Sequence, residues 1–205
     1  MRTYYTRIAG QSLERLAAIS DGIFAVGMTL LVLDLHIPVS TTSRPIHTEA
    51  DLWGAFVSLS PNLLAYFTSF LMLGVFWIGQ QTQLNHFTRS DRTLTWIHLI
   101  FLLGVSLMPF STGLLGAFIT FRLALVVYWL NILLLGVMLL VSIRYAWRAG
   151  LVKEETTAAI RSSLERRIVI SQVLYAFGAL LCVINNYWSI AVIVLVQLVN
   201  FFVRW

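Results

Sequence analysis

Long apolar runs separated by short polar breaks dominate the chain. Six of them are near the length a membrane helix needs: Leu16–Leu35, Phe56–Gly79, Leu94–Phe110, Phe118–Ile143, Ile168–Ile184 and Tyr187–Val203. About 20 residues at 1.5 Å rise cross roughly 30 Å of hydrocarbon, so each run is expected to be one transmembrane helix. The breaks are His36–Leu52 with Pro38 and Pro45, the polar Gln80–Thr93, a turn at Ser111-Thr112-Gly113, the charged Arg144–Arg167, and Asn185-Asn186. None can hold a soluble domain, so residues 1–205 read as a single six-span unit. Arg144–Arg167 suits either an amphipathic interfacial helix or a solvated linker. Within the first run, a helical phase of about 100° per residue puts Ile19, Gly22, Val26, Leu30 and Leu33 on one stripe, with Thr29 at its edge. Asp21 points about 140° from the stripe centre and Ser20 about 120° the other way.

Composition turns this pattern into an all-α integral membrane protein. Residues of the set AVILMFWYC make up 59% of the chain and charged residues 11%, against about 45–50% and 25% in an ordinary soluble domain. A mean hydropathy of +0.82 leaves too little polar surface for a water-soluble monomer. The single Cys182 and four scattered histidines exclude an internal disulfide and offer no ligand cluster, so no metal beyond a transient ion and no cofactor is expected.

The net charge of +5 comes from 14 Lys and Arg set between the apolar runs, which argues for topology and against nucleic acid. Alternating the loops puts Arg2, Arg7, Arg15, Arg89, Arg92, Arg144, Arg148, Lys153, Arg161, Arg166, Arg167 and Arg204 on one side, leaving Arg44 and Arg122 on the other. The positive-inside rule then places both termini in the cytoplasm. The N-terminal residues lack the basic, apolar and small-residue pattern of a cleaved signal peptide.

Asp21 stands inside an apolar helix, where a charged side chain costs about 2.5–3.5 kcal/mol on the insertion scale and requires partners. Ser20 and Asp21 are expected to lock the first helix to its neighbours through hydrogen bonds, while the stripe lines something else. The residues alone also allow the stripe to be ordinary helix packing. Small Gly22, Ala25 and Gly27 permit close helix approach under either reading. Candidate partners of Asp21 are Gln80, Gln81 and His98, with Arg15 as a neighbour.

Arg15-x-x-x-Ile19-Ser20-Asp21-Gly22-x-Phe24-Ala25, followed by Thr29-Leu30-Leu31 and Leu33-Asp34, resembles the Arg-x-x-x-Phe-Ser-Asp signature of the transmembrane protein 175 family. That family comprises the lysosomal potassium channel and its prokaryotic relatives. Phe76-Trp77-Ile78, Asp91-Arg92 and Pro109-Phe110-Ser111-Thr112 extend the likeness, and a six-span unit of this length resembles the prokaryotic form. This chain departs at Ile19, where Phe is usual, at Gln80 and Gln81, where a His pair commonly follows the Trp, and at His98, where Asn is usual.

The resemblance implies a potassium-permeable channel in the plasma membrane of a prokaryote. It would be a homotetramer whose four first helices line a central pore, with K+ as permeant ion and no soluble substrate. Carried over by position, the apolar constriction falls on Val26, Leu30 and Leu33, and a threonine tied to selectivity falls on Thr29. Asp34, with Glu49 and Asp51, would form an outer vestibule. The chain has no Thr-Val-Gly-Tyr-Gly run and no Arg-rich fourth span, Arg122 standing alone there, so neither a carbonyl filter nor a voltage sensor is encoded. An enzyme is not expected, because the spans bring no nucleophile, base or metal set together. A secondary transporter is the alternative, although paired Gly or Pro interruptions are lacking.

Overall fold

The computed structural model describes residues 12–36 and 46–202, the side chains of Asp34, Phe201 and Phe202 excepted. Among the described residues, seven α-helices follow in order: α1 (Leu13–Leu30), α2 (Glu49–Ser58), α3 (Ser60–Asn85), α4 (Arg92–Ala117), α5 (Arg122–Arg148), α6 (Ala158–Leu180) and α7 (Asn186–Phe202). Five are long and apolar enough to cross a membrane, with Asn186–Asn200 a shorter apolar helix. The chain is thus a multi-pass helical protein. The expected sixth span corresponds to α7, whose 17 residues reach about 25 Å.

Local chemistry starts and stops each helix. Ser12 caps α1 by accepting from the Arg15 backbone N–H at 3.2 Å, and Leu31–Asp34 tighten its end into a 3-10 turn. Thr48 and Asp51 form a capping box on α2; the Thr48 hydroxyl, donating to the Asp51 carboxylate, holds that carboxyl below its ordinary range. Pro61 stands in the first turn of α3, where its missing N–H is harmless. Asp91 caps α4 through the Leu94 N–H at 2.8 Å and accepts from the Tyr145 hydroxyl at 2.6 Å, tying α5 to the start of α4. Gly150, at φ 65°, makes the left-handed stop after α5.

Three boundaries differ from the sequence expectation. The second run divides at Leu59 into exposed α2 and long α3, which continues through Gln80 to Asn85. No turn forms at Ser111-Thr112-Gly113; α4 runs through Pro109 to Ala117. There the Ser111 and Thr112 hydroxyls donate back to the Met108 carbonyl, and Thr112 lies 2.7 Å from Ser69, itself 3.1 Å from Tyr128. Polar residues that satisfy themselves in this way sit comfortably in a buried membrane helix. The Arg144–Arg167 stretch is mostly helix as well: α5 ends at Arg148 and α6 begins at Ala158. The loop between them is held by an antiparallel bridge of Val152 to Phe87. Arg2, Arg7, Pro38, Arg44, Pro45 and Arg204 lie outside the described residues.

Central α4 packs on α1, α3 and α5, while α6 and α7 pair beside α5 and α3. The α4–α5 contact is close: a Cβ on Gly104 would lie 2.9 Å from Leu135 Cδ2. The main core unites Phe24 and Leu31 of the first segment with Met72, Leu73, Phe101, Val105, Leu135 and Ile193. A second cluster of Leu16, Leu84, Phe87, Leu94, Ile143 and Leu151 closes one end.

Candidate functional site: the open face of helix α1

Among the described residues, only one side of α1 is covered by the chain's own packing. Leu16, Ser20, Phe24, Gly27 and Leu31 are buried against α3 and α4. The exposed remainder carries Ile19 (48% exposed), Val26 (56%), Leu30 (41%) and Leu33 (68%), with Gly22 and Thr29 exposed among them. The predicted stripe thus lies within an exposed arc of α1 that also includes Ala18, Asp21, Ala25 and Val32. Gly22 has no atom within 4 Å of where a Cβ would stand, whereas Gly27 looks onto Val105 of α4 at 3.6 Å. Of the small residues, Gly27 serves an approach within the chain and Gly22 does not.

The 3-10 turn changes the end of this face. Residues i and i+3 eclipse in a 3-10 helix, at about 2.0 Å rise per residue. The Leu31–Asp34 turn therefore brings Leu33 more nearly above Leu30 than a 100° phase would. No sequence signal marked that tightening. The Thr29 hydroxyl donates to the carbonyls of Ala25 (3.0 Å) and Val26 (2.8 Å). With its proton turned to the backbone, its oxygen lone pairs remain available on the open side. Asp34 closes the turn, but its side chain lies outside the described residues. Glu49 and Asp51 stand at the start of α2, and Asp51 is occupied by its capping box.

Behind this face two consecutive residues of α1 meet two consecutive residues of α3. Ser20, fully buried, donates to the Leu16 carbonyl at 2.7 Å and accepts from Gln80 Nε2 at 3.1 Å. Gln80 Nε2 also lies 3.0 Å from His98 Nδ1. Because an amide NH2 only donates, Nδ1 accepts, and the neutral ring donates from Nε2 to Ser142 Oγ at 3.0 Å. A continuous relay thus joins α1, α3, α4 and α5 through Ser20, Gln80, His98 and Ser142. Asp21 Oδ1 accepts from Gln81 Nε2 at 2.8 Å and from the Trp77 indole at 2.7 Å.

The partner expectation for Asp21 is corrected accordingly. Gln81 meets it; Gln80 and His98 serve Ser20 instead. Arg15 is exposed, with no ion pair to a described residue. Asp21 itself is exposed at the seam of α1 and α3, so its hydrogen bonds are not buried within the chain. The cause is helical phase: Ser20 and Asp21 are about 100° apart, as are Gln80 and Gln81, so each pair divides between the interior and the flank. Trp77 lies one turn before Gln81 on α3. That i, i+4 spacing could have identified it; nothing in the sequence linked Ser142 to His98.

Residues 15–109 match the family model described as "Endosomal/lysosomal potassium channel TMEM175". A potassium channel of Streptomyces collinus is 32% identical over 105 residues, 51% of this chain and 48% of that protein. The endosomal/lysosomal proton channel TMEM175 of Gallus gallus is 29% identical over 109 residues, 52% of this chain and 22% of that protein. The match thus spans about half the length of the bacterial relatives and less of the vertebrate ones. The crystal structure of a lysosomal potassium-selective channel TMEM175 homolog from Chamaesiphon minutus has the same fold. It superposes with a TM-score of 0.78 over 92% of this chain and 96% of that one, at 23% identity. Over residues 15–109, from α1 through most of α4, this chain is similar to the family of the endosomal/lysosomal potassium channel TMEM175.

Proposed function

We propose that the protein is a passive potassium-permeable channel, its 205 residues forming one unit of a homotetramer with the open face of α1 turned to a shared axis. The observation that carries this reading is the uncovered apolar row of Val26, Leu30 and Leu33 on α1, within the segment that matches a family of ion channels, not enzymes. One such helix cannot enclose a pore, and fourfold rings of branched aliphatic residues would narrow one enough to gate it by dewetting. Thr29 would present its lone pairs to a partly dehydrated ion at the edge of the rings, and Asp34 would stand at the outer mouth.

Ser20, Asp21, Gln80, Gln81 and His98 would then fix the rotation of α1, and so decide which side chains face the axis. Arg15, exposed one turn before them, would sit at the cytoplasmic end. K+ passes without a cofactor. The cation distribution supports cytoplasmic termini in a prokaryotic plasma membrane: Arg89, Arg92, Arg148 and Lys153 gather near one set of helix ends, whereas Arg122 donates to the Val183 carbonyl at the other.

The test is flux from liposomes under a potassium gradient, with sodium as competitor, combined with the particle mass in mild detergent. The expected result is potassium-driven flux from a particle of about four chains. A strict monomer, or movement of one ion only in exchange for another, would favour a transporter and defeat the proposal.

A further inference from the structure

We infer that the crevice around the first half of α6 is a binding site for an anionic phospholipid with a hydroxyl-bearing headgroup. Two hollows meet there at Arg167, Ser171 and Asn200. One reaches between α3, α5, α6 and α7; the other lies between α6 and α7. The second joins Ser163, Arg166 and Arg167 to an apolar groove of Ile170, Leu174, Val196 and Val199. Cations at one end of an apolar groove on a membrane helix match a phosphate with its acyl chain.

The charge on this patch is free to act. Glu165, the nearest acid in sequence, is already paired with Arg161 at 2.6 Å and Arg144 at 3.1 Å. Arg166 and Arg167 form no ion pair among the described residues. A second observation concerns Gln83, which lines the first hollow and is 1% exposed. Its Nε2 donates to the Leu139 carbonyl at 3.1 Å, while its Oε1, buried in the wall, has no partner among the described residues. A buried acceptor calls for a donor, which a phosphodiester lacks and a headgroup hydroxyl supplies. The phosphate would lie on Arg166, Arg167 and Ser163, a headgroup hydroxyl would donate to Gln83, and an acyl chain would follow Ile170 and Leu174. The site is separate from the open face of α1 and does not depend on the pore reading.

The experiment is native mass spectrometry of the full-length protein released from nanodiscs of phosphatidylglycerol, phosphatidylmethanol or phosphatidylcholine. The wild type should retain phosphatidylglycerol preferentially over both others. Arg166→Gln with Arg167→Gln should lower phosphatidylglycerol retention about tenfold or more, from two cations near an anionic lipid. Gln83→Met should erase the preference over phosphatidylmethanol while leaving anionic lipid bound. Arg148→Gln, at the exposed end of α5, should change nothing, and all variants should keep the wild-type gel-filtration profile. Equal retention of phosphatidylcholine, undiminished retention in the double variant, or displacement of the lipid by millimolar inorganic phosphate would overturn the assignment.

Discussion

Leu30 and Leu31 are neighbours in sequence with opposite fates, which separates folding from permeation in one pair of substitutions. Leu31 is fully buried in the main core beside Phe24 and Leu73, whereas Leu30 is 41% exposed on the open face. A leucine-to-alanine change in a core that cannot collapse leaves a void of roughly 80 Å³, and at about 24 cal/mol per Å³ this costs about 2 kcal/mol. The water-transfer part of the usual penalty is largely missing, because the unfolded reference also lies in lipid or detergent. Leu31→Ala should therefore lower unfolding free energy by about 2 kcal/mol in an SDS titration followed by tryptophan fluorescence, with potassium flux per folded protein unchanged. Leu30→Ala should stay within about 0.5 kcal/mol of wild type and raise flux, since four bulky side chains leave the same level together. If Leu30→Ala destabilises the protein as much as Leu31→Ala, or if Leu31→Ala alters flux, the assignment of faces on α1 is wrong.

Gln80→Leu leaves His98 Nδ1 without its donor and should cost about 1 kcal/mol, two interhelical bonds at roughly 0.6 kcal/mol each in a membrane protein; thermal unfolding would check it, and an unchanged midpoint would make the relay energetically idle. Asp21→Ala strips the acceptor from Trp77 and Gln81 and should reduce the yield of assembled protein. Asp21→Asn keeps an oxygen there and should restore the yield; normal assembly with altered selectivity in Asp21→Ala would instead put Asp21 on the ion path. Thr29→Val should reduce preference for potassium over sodium more than total current in bilayer recordings, and Thr29→Ser should retain it; an unchanged preference in Thr29→Val would remove Thr29 from the path. In a Cys182→Ser background, single cysteines at Thr120 and Thr157 should label from opposite membrane faces, and labelling from the same face would break the proposed topology.

What the sequence determined by itself is what depends on local composition and period. A bilayer of fixed thickness demands apolar runs of fixed length, so six runs were legible from Leu16 onward, of which five are helices long enough to span and the last is a shorter apolar helix. The stripe of Ile19, Gly22, Val26, Leu30 and Leu33 was legible because helical phase is set by residue spacing alone, and how wide the exposed arc around it is was decided by the packing of α3 and α4. Only the tertiary structure decided which polar group meets which. Gln80 and Gln81 carry the same amide, and nothing local distinguishes the one that turns inward to Ser20 and His98 from the one that turns out to Asp21. The same holds for the region of Ser111, Thr112 and Gly113, which reads as a turn until Ser69, Tyr128 and the Met108 carbonyl are present to satisfy its hydroxyls. It holds as well for Ser142, which enters the relay through a contact 44 residues away in the chain. Partner choice in a membrane interior is a matter of three-dimensional position, because donors and acceptors without water must pair with whatever the packing brings within reach.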